Sequence, residues 1–217
     1  MKDRRLTLLL SMLLVFVLVL SGCSKNGGIK VLEENNEASK ETSIKNEIVY
    51  GIWSAPSGVF NPMVADTLYD NTVNSVLYNG LLEFDKDLNL TSSLAKDYEV
   101  SQDNLKISFY LRDDVIWHDG EKFVAEDVKF TFENLANPNY EGNNASFVEA
   151  IVGADKYMAK ETKEIEGIKV IDENKVELNF TRPYSPALIQ LGTTPIIPKH
   201  IWDKVPVENW IKATEKL

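Results

Sequence analysis

The chain has 217 residues, 44% hydrophobic, 10% aromatic and 26% charged, with a formal net charge of −10. That is globular composition, neither disordered nor fibrous, and its acidic balance argues against a nucleic-acid partner, because phosphate binding needs a basic surface. The one cysteine, Cys23, makes no internal disulfide, and with only His118 and His200 beside it there is little material for a metal site, so neither metal nor cofactor is expected.

The first segment reads as an export signal. Lys2, Arg4 and Arg5 form a basic start, and residues 6–20 follow as an apolar run interrupted only by Thr7 and Ser11. The run is short for a membrane span, which needs ~20 residues. Leu20-Ser21-Gly22-Cys23 then resembles a bacterial lipobox, whose cysteine is lipidated and becomes the new N-terminus. The alternative is an uncleaved anchor with an incidental cysteine. Either reading places the body outside the cytoplasm, held at the membrane. Residues 1–22 are therefore expected to be a lipoprotein signal peptide. Residues 23–46 are expected to be the lipidated Cys23 and a flexible tether, since Ser24 to Asn46 is rich in Glu, Lys, Asn and Ser and short of apolar surface. A short surface helix around residues 33–40 is the alternative there.

The folded body starts at Glu47. Residues 47–53 predict a strand, and residues 54–62 a loop broken by Pro56, Gly58 and Pro62. Residues 66–81 predict a helix with Val73, Val76, Leu77 and Leu81 on its apolar face. Short strands follow on either side of Asp85-Lys86-Asp87. Residues 97–100 and 105–111 predict two more, the second with Leu105, Ile107, Phe109 and Leu111 in period-2 alternation. Trp117-His118-Asp119-Gly120 reads as a tight turn in which glycine makes positive φ cheap. Residues 125–137 predict a helix with Val128, Phe132 and Leu135 as its core stripe, and residues 145–160 another with Phe147, Ile151, Ala154 and Met158 in line. Residues 165–171 and 176–180 predict a hairpin through Glu173-Asn174, and residues 183–191, 198–202 and 208–215 short helical pieces. Strands and helices interspersed with a hairpin predict an α/β architecture with a mixed sheet.

Residues 94–134 carry more than a pattern. Leu94-Ala95, Phe109-x-Leu111-Arg112, Trp117-x-Asp119-Gly120, Phe123, Ala125-x-Asp127-Val128 and Phe130-Thr131 stand in fixed order and spacing. Together they resemble the signature of the solute-binding proteins of peptide-type ABC importers, family 5, which take oligopeptides, dipeptides or nickel. Asn61-Pro62 followed by Tyr78-Asn79-Gly80-Leu81 is similar to the family's opening. Gly153-Ala154-x-x-Tyr157, Gly167-Ile168 and Ile197-Pro198-Lys199-His200 resemble later landmarks. The signature has a physical reading as a structural device. Trp117 buries a ring beneath the turn, Gly120 supplies backbone freedom, and Asp127 suits the positive end of the helix that Ala125 and Val128 begin. Val124 departs from the Thr or Ser common in the family and cannot cap that helix, at a cost of ~1 kcal/mol.

The resemblance implies the first lobe of a type II periplasmic-binding fold, spanning residues 47–217 and incomplete, because family members are more than twice as long and enclose ligand between two lobes. The acidic residue that receives a peptide's amino group lies in the other lobe, so no position here inherits that role. The resemblance also implies a peptide or small-solute ligand, ABC permease subunits as partners and no enzymatic activity. It places peptide contact at Asp66, Thr67 and Leu68, where an extended ligand would pair with exposed backbone, with Asn61, Phe60 and Ser57 lining the same cleft. On the residues alone, Asp66-Thr67-Leu68 reads equally as an ordinary helix entry with Asp66 as N-cap. His118 and His200 read as solvated side chains, and Asp113-Asp114 and Glu126-Asp127 as solvated faces. A stand-alone interaction lipoprotein, or a remnant without transport function, is the competing reading, and nickel or another small solute is the alternative cargo.

Overall fold

A computed structural model describes residues 49–213, so the expected signal peptide, Cys23 and the tether lie outside the described residues. In chain order the elements are α1 (Leu68–Leu77), β1 (Leu82–Phe84), β2 (Leu90–Ser92), β3 (Ala95–Val100), β4 (Lys106–Leu111) and α2 (Ala125–Leu135). A 3-10 turn (Ala145–Phe147) precedes α3 (Ala154–Met158), β5 (Ile168–Asp172) and β6 (Lys175–Asn179). Then come α4 (Ala187–Gly192), α5 (Lys199–Trp202), a second 3-10 turn (Val207–Asn209) and α6 (Trp210–Ala213).

β4 is the centre. Its alternation puts Ile107, Phe109 and Leu111 on one face, where they are 4%, 0% and 0% exposed. It pairs antiparallel with β3 on one side and with β6 on the other, and β5 closes the order β3-β4-β6-β5. Phe109 stands opposite Val176, and Ile107 opposite Leu178. α2 packs on β5 and β6 with Val128, Phe132 and Leu135 inaccessible to solvent. β1 and β2 form a separate antiparallel pair across a turn in which the Asp85 carboxylate accepts from the amides of Asp87 and Asn89. Every strand pairing among the described residues is antiparallel. The α/β architecture holds, but the expected mixed sheet is corrected within these residues. Short turns at 101–105 and 173–174 join β3 to β4 and β5 to β6, and connections that short can only reverse the chain; β4 and β6 lie far apart in sequence, and their antiparallel pairing is set by the fold.

Three elements depart from the sequence reading. Residues 49–53 form no strand, and Val49, Tyr50 and Trp53 are 87%, 74% and 99% exposed; among the described residues no strand pairs with them. The helix expected over 145–160 is broken. Gly153 takes φ +81°, Ile151 forms a bridge with Phe180, and the Val152 N–H donates to Asn179 O at 2.9 Å, so the sheet edge captures the backbone the helix would need. α1 is shorter than expected and turned. Its buried residues are Asp70 and Asn74, while Val76 and Leu77 of the expected core face are 82% and 39% exposed.

Candidate functional site

The polar face of α1 explains its orientation. Thr67, extended at φ −91° and ψ 147°, is the N-cap and accepts from the Asp70 N–H at 3.0 Å. The Asp70 carboxylate in turn accepts from Thr67 Oγ1 at 2.6 Å, from Ser57 Oγ, and from the Gly58 N–H at 3.0 Å. One turn on, Asn74 Nδ2 donates to Val59 O at 3.2 Å. Two side chains at i and i+4 thus fasten residues 57–59 to the start of α1, and a polar face becomes the buried one. Burial pushes the Asp70 carboxyl up. The hydrogen bonds from Ser57, Thr67, Gly58 and Val59 together outweigh that push and hold it below the ordinary carboxylate range.

Between these two anchor points the loop is built around Asn61. This residue is fully buried, and its Oδ1 accepts from the Met63 N–H at 2.9 Å while its carbonyl accepts from Val64 and Ala65. Asn61 Nδ2 and Asn74 Oδ1 are buried without a hydrogen-bond partner among the described residues. Tyr140 pins the middle of the loop, donating its hydroxyl to Met63 O at 2.6 Å. Burial pushes that phenol up to about 12, so it stays a donor at physiological pH. Of the residues expected to meet ligand, Asp66 and Leu68 are exposed, Leu68 by 74%, while Thr67 and Phe60 are half-buried and Ser57 is exposed. The backbone N–H groups of Asp66 and Thr67 take part in no hydrogen bond among the described residues. Sequence reasoning missed Asp70, Asn74 and Tyr140. The Thr67-x-x-Asp70 spacing of a capping box was the legible signal for the first; the other two act across the fold and left none.

The signature turn lies elsewhere and closes on Asp127. This residue is 3% exposed, and its carboxylate accepts from Trp117 Nε1 at 3.2 Å, from the Val124 N–H at 3.0 Å and from the Lys199 N–H at 2.9 Å. Gly120 takes φ +94° and donates to Trp117 O at 2.9 Å, and the Trp117 ring meets Phe123 edge-on at 6.0 Å. Ala125 and Val128 are inaccessible in the core. Asp119 Oδ2 lies 2.6 Å from His200 Nε2, and that hydrogen bond holds the Asp119 carboxyl below its ordinary value. His118 is exposed. The adjacent carboxylates pair with bases rather than with each other: Asp114 with Arg112, and Glu126 with Lys199 at 3.1 Å.

A cavity of about 610 Å³ opens between α2 and the segment from Lys199 to Trp210, away from the loop at 57–68. Part of its charge is paired within its own wall, Lys129 lying 2.9 Å from Glu164 and 3.9 Å from Glu133, and Lys199 3.1 Å from Glu126. Its tryptophans, Trp202 and Trp210, are 2% and 0% exposed and meet edge to face, 5.6 Å between ring centroids, as core. The better candidate is the loop, where the Asp66 and Thr67 N–H groups stand unpaired among the described residues beside the hydrogen-bonded Asp70 carboxylate.

Comparison with known proteins agrees with the signature. A profile described as bacterial extracellular solute-binding proteins, family 5, middle, matches residues 89–216. The oligopeptide-binding protein AppA of Bacillus subtilis is 28% identical over 96% of this chain and 36% of its own length. The dipeptide-binding protein of Escherichia coli is 34% identical over 67% of this chain and 28% of its own. The crystal structure of NikZ from Campylobacter jejuni in complex with Ni(L-His) matches with a TM-score of 0.57 at 28% identity, over 69% of this chain and 27% of that one. The chain spans about a third of the length of the curated relatives it matches.

Proposed function

The chain belongs to family 5 of the bacterial extracellular solute-binding proteins, and from that premise we propose that it receives an oligopeptide outside the cytoplasm for an ABC importer. Its architecture is that of type II periplasmic binding proteins. The observation that carries the peptide reading is the backbone at Asp66-Thr67-Leu68. It is extended at Thr67, exposed on either side, and offers N–H groups that no described residue engages. An extended peptide pairs with such a backbone through its own main chain, which tolerates varied side chains. Names among the relatives support the ligand class, since two of them are an oligopeptide-binding and a dipeptide-binding protein. The reading includes permease subunits as the recipients of the ligand. It also includes a lipid anchor at Cys23, supported by the basic start, the apolar run and the small residues before that cysteine. Palmitate labelling that survives Cys23→Ala would contradict the anchor.

Binding by this chain alone is expected to be weaker than micromolar, because Asp66 and Leu68 stand on open surface and leave much of a ligand in water. The test is therefore site-resolved. Titrating the ¹⁵N-labelled full chain with penta-alanine to millimolar concentration should shift the amides of residues 57–68 and leave β4 and β6 unmoved. Shifts confined to the cavity beside Trp210, or none at all, would sink the peptide reading at this segment.

A further inference from the structure

We infer that Asp70 is a positioning residue: by tying Ser57 and Thr67 to one carboxylate, it fixes the backbone of Asp66-Thr67-Leu68 in the shape a ligand meets. The inference deepens the peptide reading above and rests on it for the ligand, though not for the geometry. Ser57 and Thr67 are ten positions apart in the chain, yet both hydroxyls donate to Asp70 Oδ2, while Oδ1 takes the Gly58 N–H. The carboxylate therefore closes residues 57–67 into a loop whose two ends meet at the first turn of α1. That closure is strong in kind, because three donors converge on one charged acceptor that is fully shielded from solvent.

The rest of the loop offers no substitute for it. Asn74 holds only Val59 O, at 3.2 Å, and Tyr140 holds only Met63 O. Neither side chain hydrogen-bonds to residues 66–68, where α1 itself holds the carbonyls of Thr67 and Leu68. Gly58 sits at φ +95°, a conformation that the Asp70 bond to its amide helps retain. Removing the charge while keeping the shape, as in Asp70→Asn, leaves a neutral acceptor and an NH₂ donor facing hydroxyls and an amide that also donate. The end of the loop at Ser57 and Gly58 is then released from α1, and Thr67 keeps only the Asp70 N–H on its Oγ1 and the Asn71 N–H on its carbonyl. Asp70 itself touches no ligand in this scheme; it acts through the segment it holds.

The test compares Asp70→Asn with the wild-type full chain in two measurements. Amide hydrogen exchange should rise roughly tenfold at Gly58 and Asp70, the two amides that are hydrogen-bonded within the clasp, as one charge-assisted hydrogen bond is lost, with β4 amides nearly unchanged. The penta-alanine shifts at residues 66–68 should need a roughly tenfold higher concentration to reach the same size. Wild-type binding should also weaken as the pH falls below the ordinary carboxylate range, where Asp70 protonates, and the variant should lack that step. Unchanged exchange at residues 57–70 in the variant would overturn the inference. So would exchange that rises equally everywhere, or peptide shifts that persist at wild-type strength once the loop has loosened. If wild type shows no peptide shifts, the peptide reading fails, while the exchange comparison still decides whether Asp70 holds the segment.

Discussion

Asp127 shows how one side chain accounts for several signature positions at once. Its two oxygens take the Trp117 indole, the Val124 amide that opens α2 and the Lys199 amide that opens α5. The sequence reading assigned it to the positive end of a helix, which holds, but gave no hint of Lys199, 72 positions away. Asp127→Asn would turn an NH₂ toward at least one of those N–H donors inside a site closed to water. A loss of about 3 kcal/mol in unfolding free energy is expected, the cost of a buried charge-assisted network left partly unmade. Urea denaturation followed by tryptophan fluorescence measures it, and a loss under about 0.5 kcal/mol would place Asp127 among ordinary surface positions. Asp70 plays the same part at α1, with a carboxylate whose low pKa comes from donors that outweigh its burial. Its contribution to stability is present above the ordinary carboxylate pKa of ~3.9 and is lost as the pH falls through its lower folded value.

At the scale of the element, helix α2 illustrates a cap made without a capping side chain. Val124 offers no side-chain acceptor, and the first turn relies on Asp127 reaching back to the Val124 N–H. Val124→Thr adds an acceptor of nearly the same shape for the N–H groups of the first turn and should stabilise the fold by about 1 kcal/mol; a thermal midpoint that stays put or falls would refute this. α1 is the opposite case. Its apolar residues Val73, Val76 and Leu77 fit a helical stripe, yet the buried positions are Asp70 and Asn74. Periodicity reports which residues share a face and cannot report whether anything covers that face. For residues 145–160 periodicity was right about Ile151 and Ala154, which are buried, but Phe147 and Met158 are only half-buried, Val148 and Ala150 are buried outside the expected stripe, and the backbone that carries them is not one helix. Pairing with Asn179 and Phe180 is a long-range interaction that no local window contains.

For the molecule as a whole, one group of apolar side chains gathers between the start of the described chain and α1. Tyr50, Ile52, Val73, Val76 and Leu77 line one groove of about 350 Å³, with no charged residue among its walls. A contiguous apolar patch on an otherwise acidic surface promotes association. Sedimentation velocity should show concentration-dependent self-association of the chain, and Val76→Glu, which sets a charge in that groove, should reduce it severalfold. A wild type that stays monomeric at high concentration would contradict this. The order of residues by itself determined the α/β class, the strands of β3 to β6, the tight turn at Gly120 and the family, because these depend on alternation, spacing and turn chemistry carried within a few positions. Only the tertiary structure decided that the sheet pairings are antiparallel throughout the described residues, that α1 buries its polar face, and that Asp127 gathers a donor from Lys199, 72 positions away. Hydrogen bonds between residues far apart in the chain form only where the packed core brings them together, and that proximity is a property of the fold rather than of any stretch of sequence.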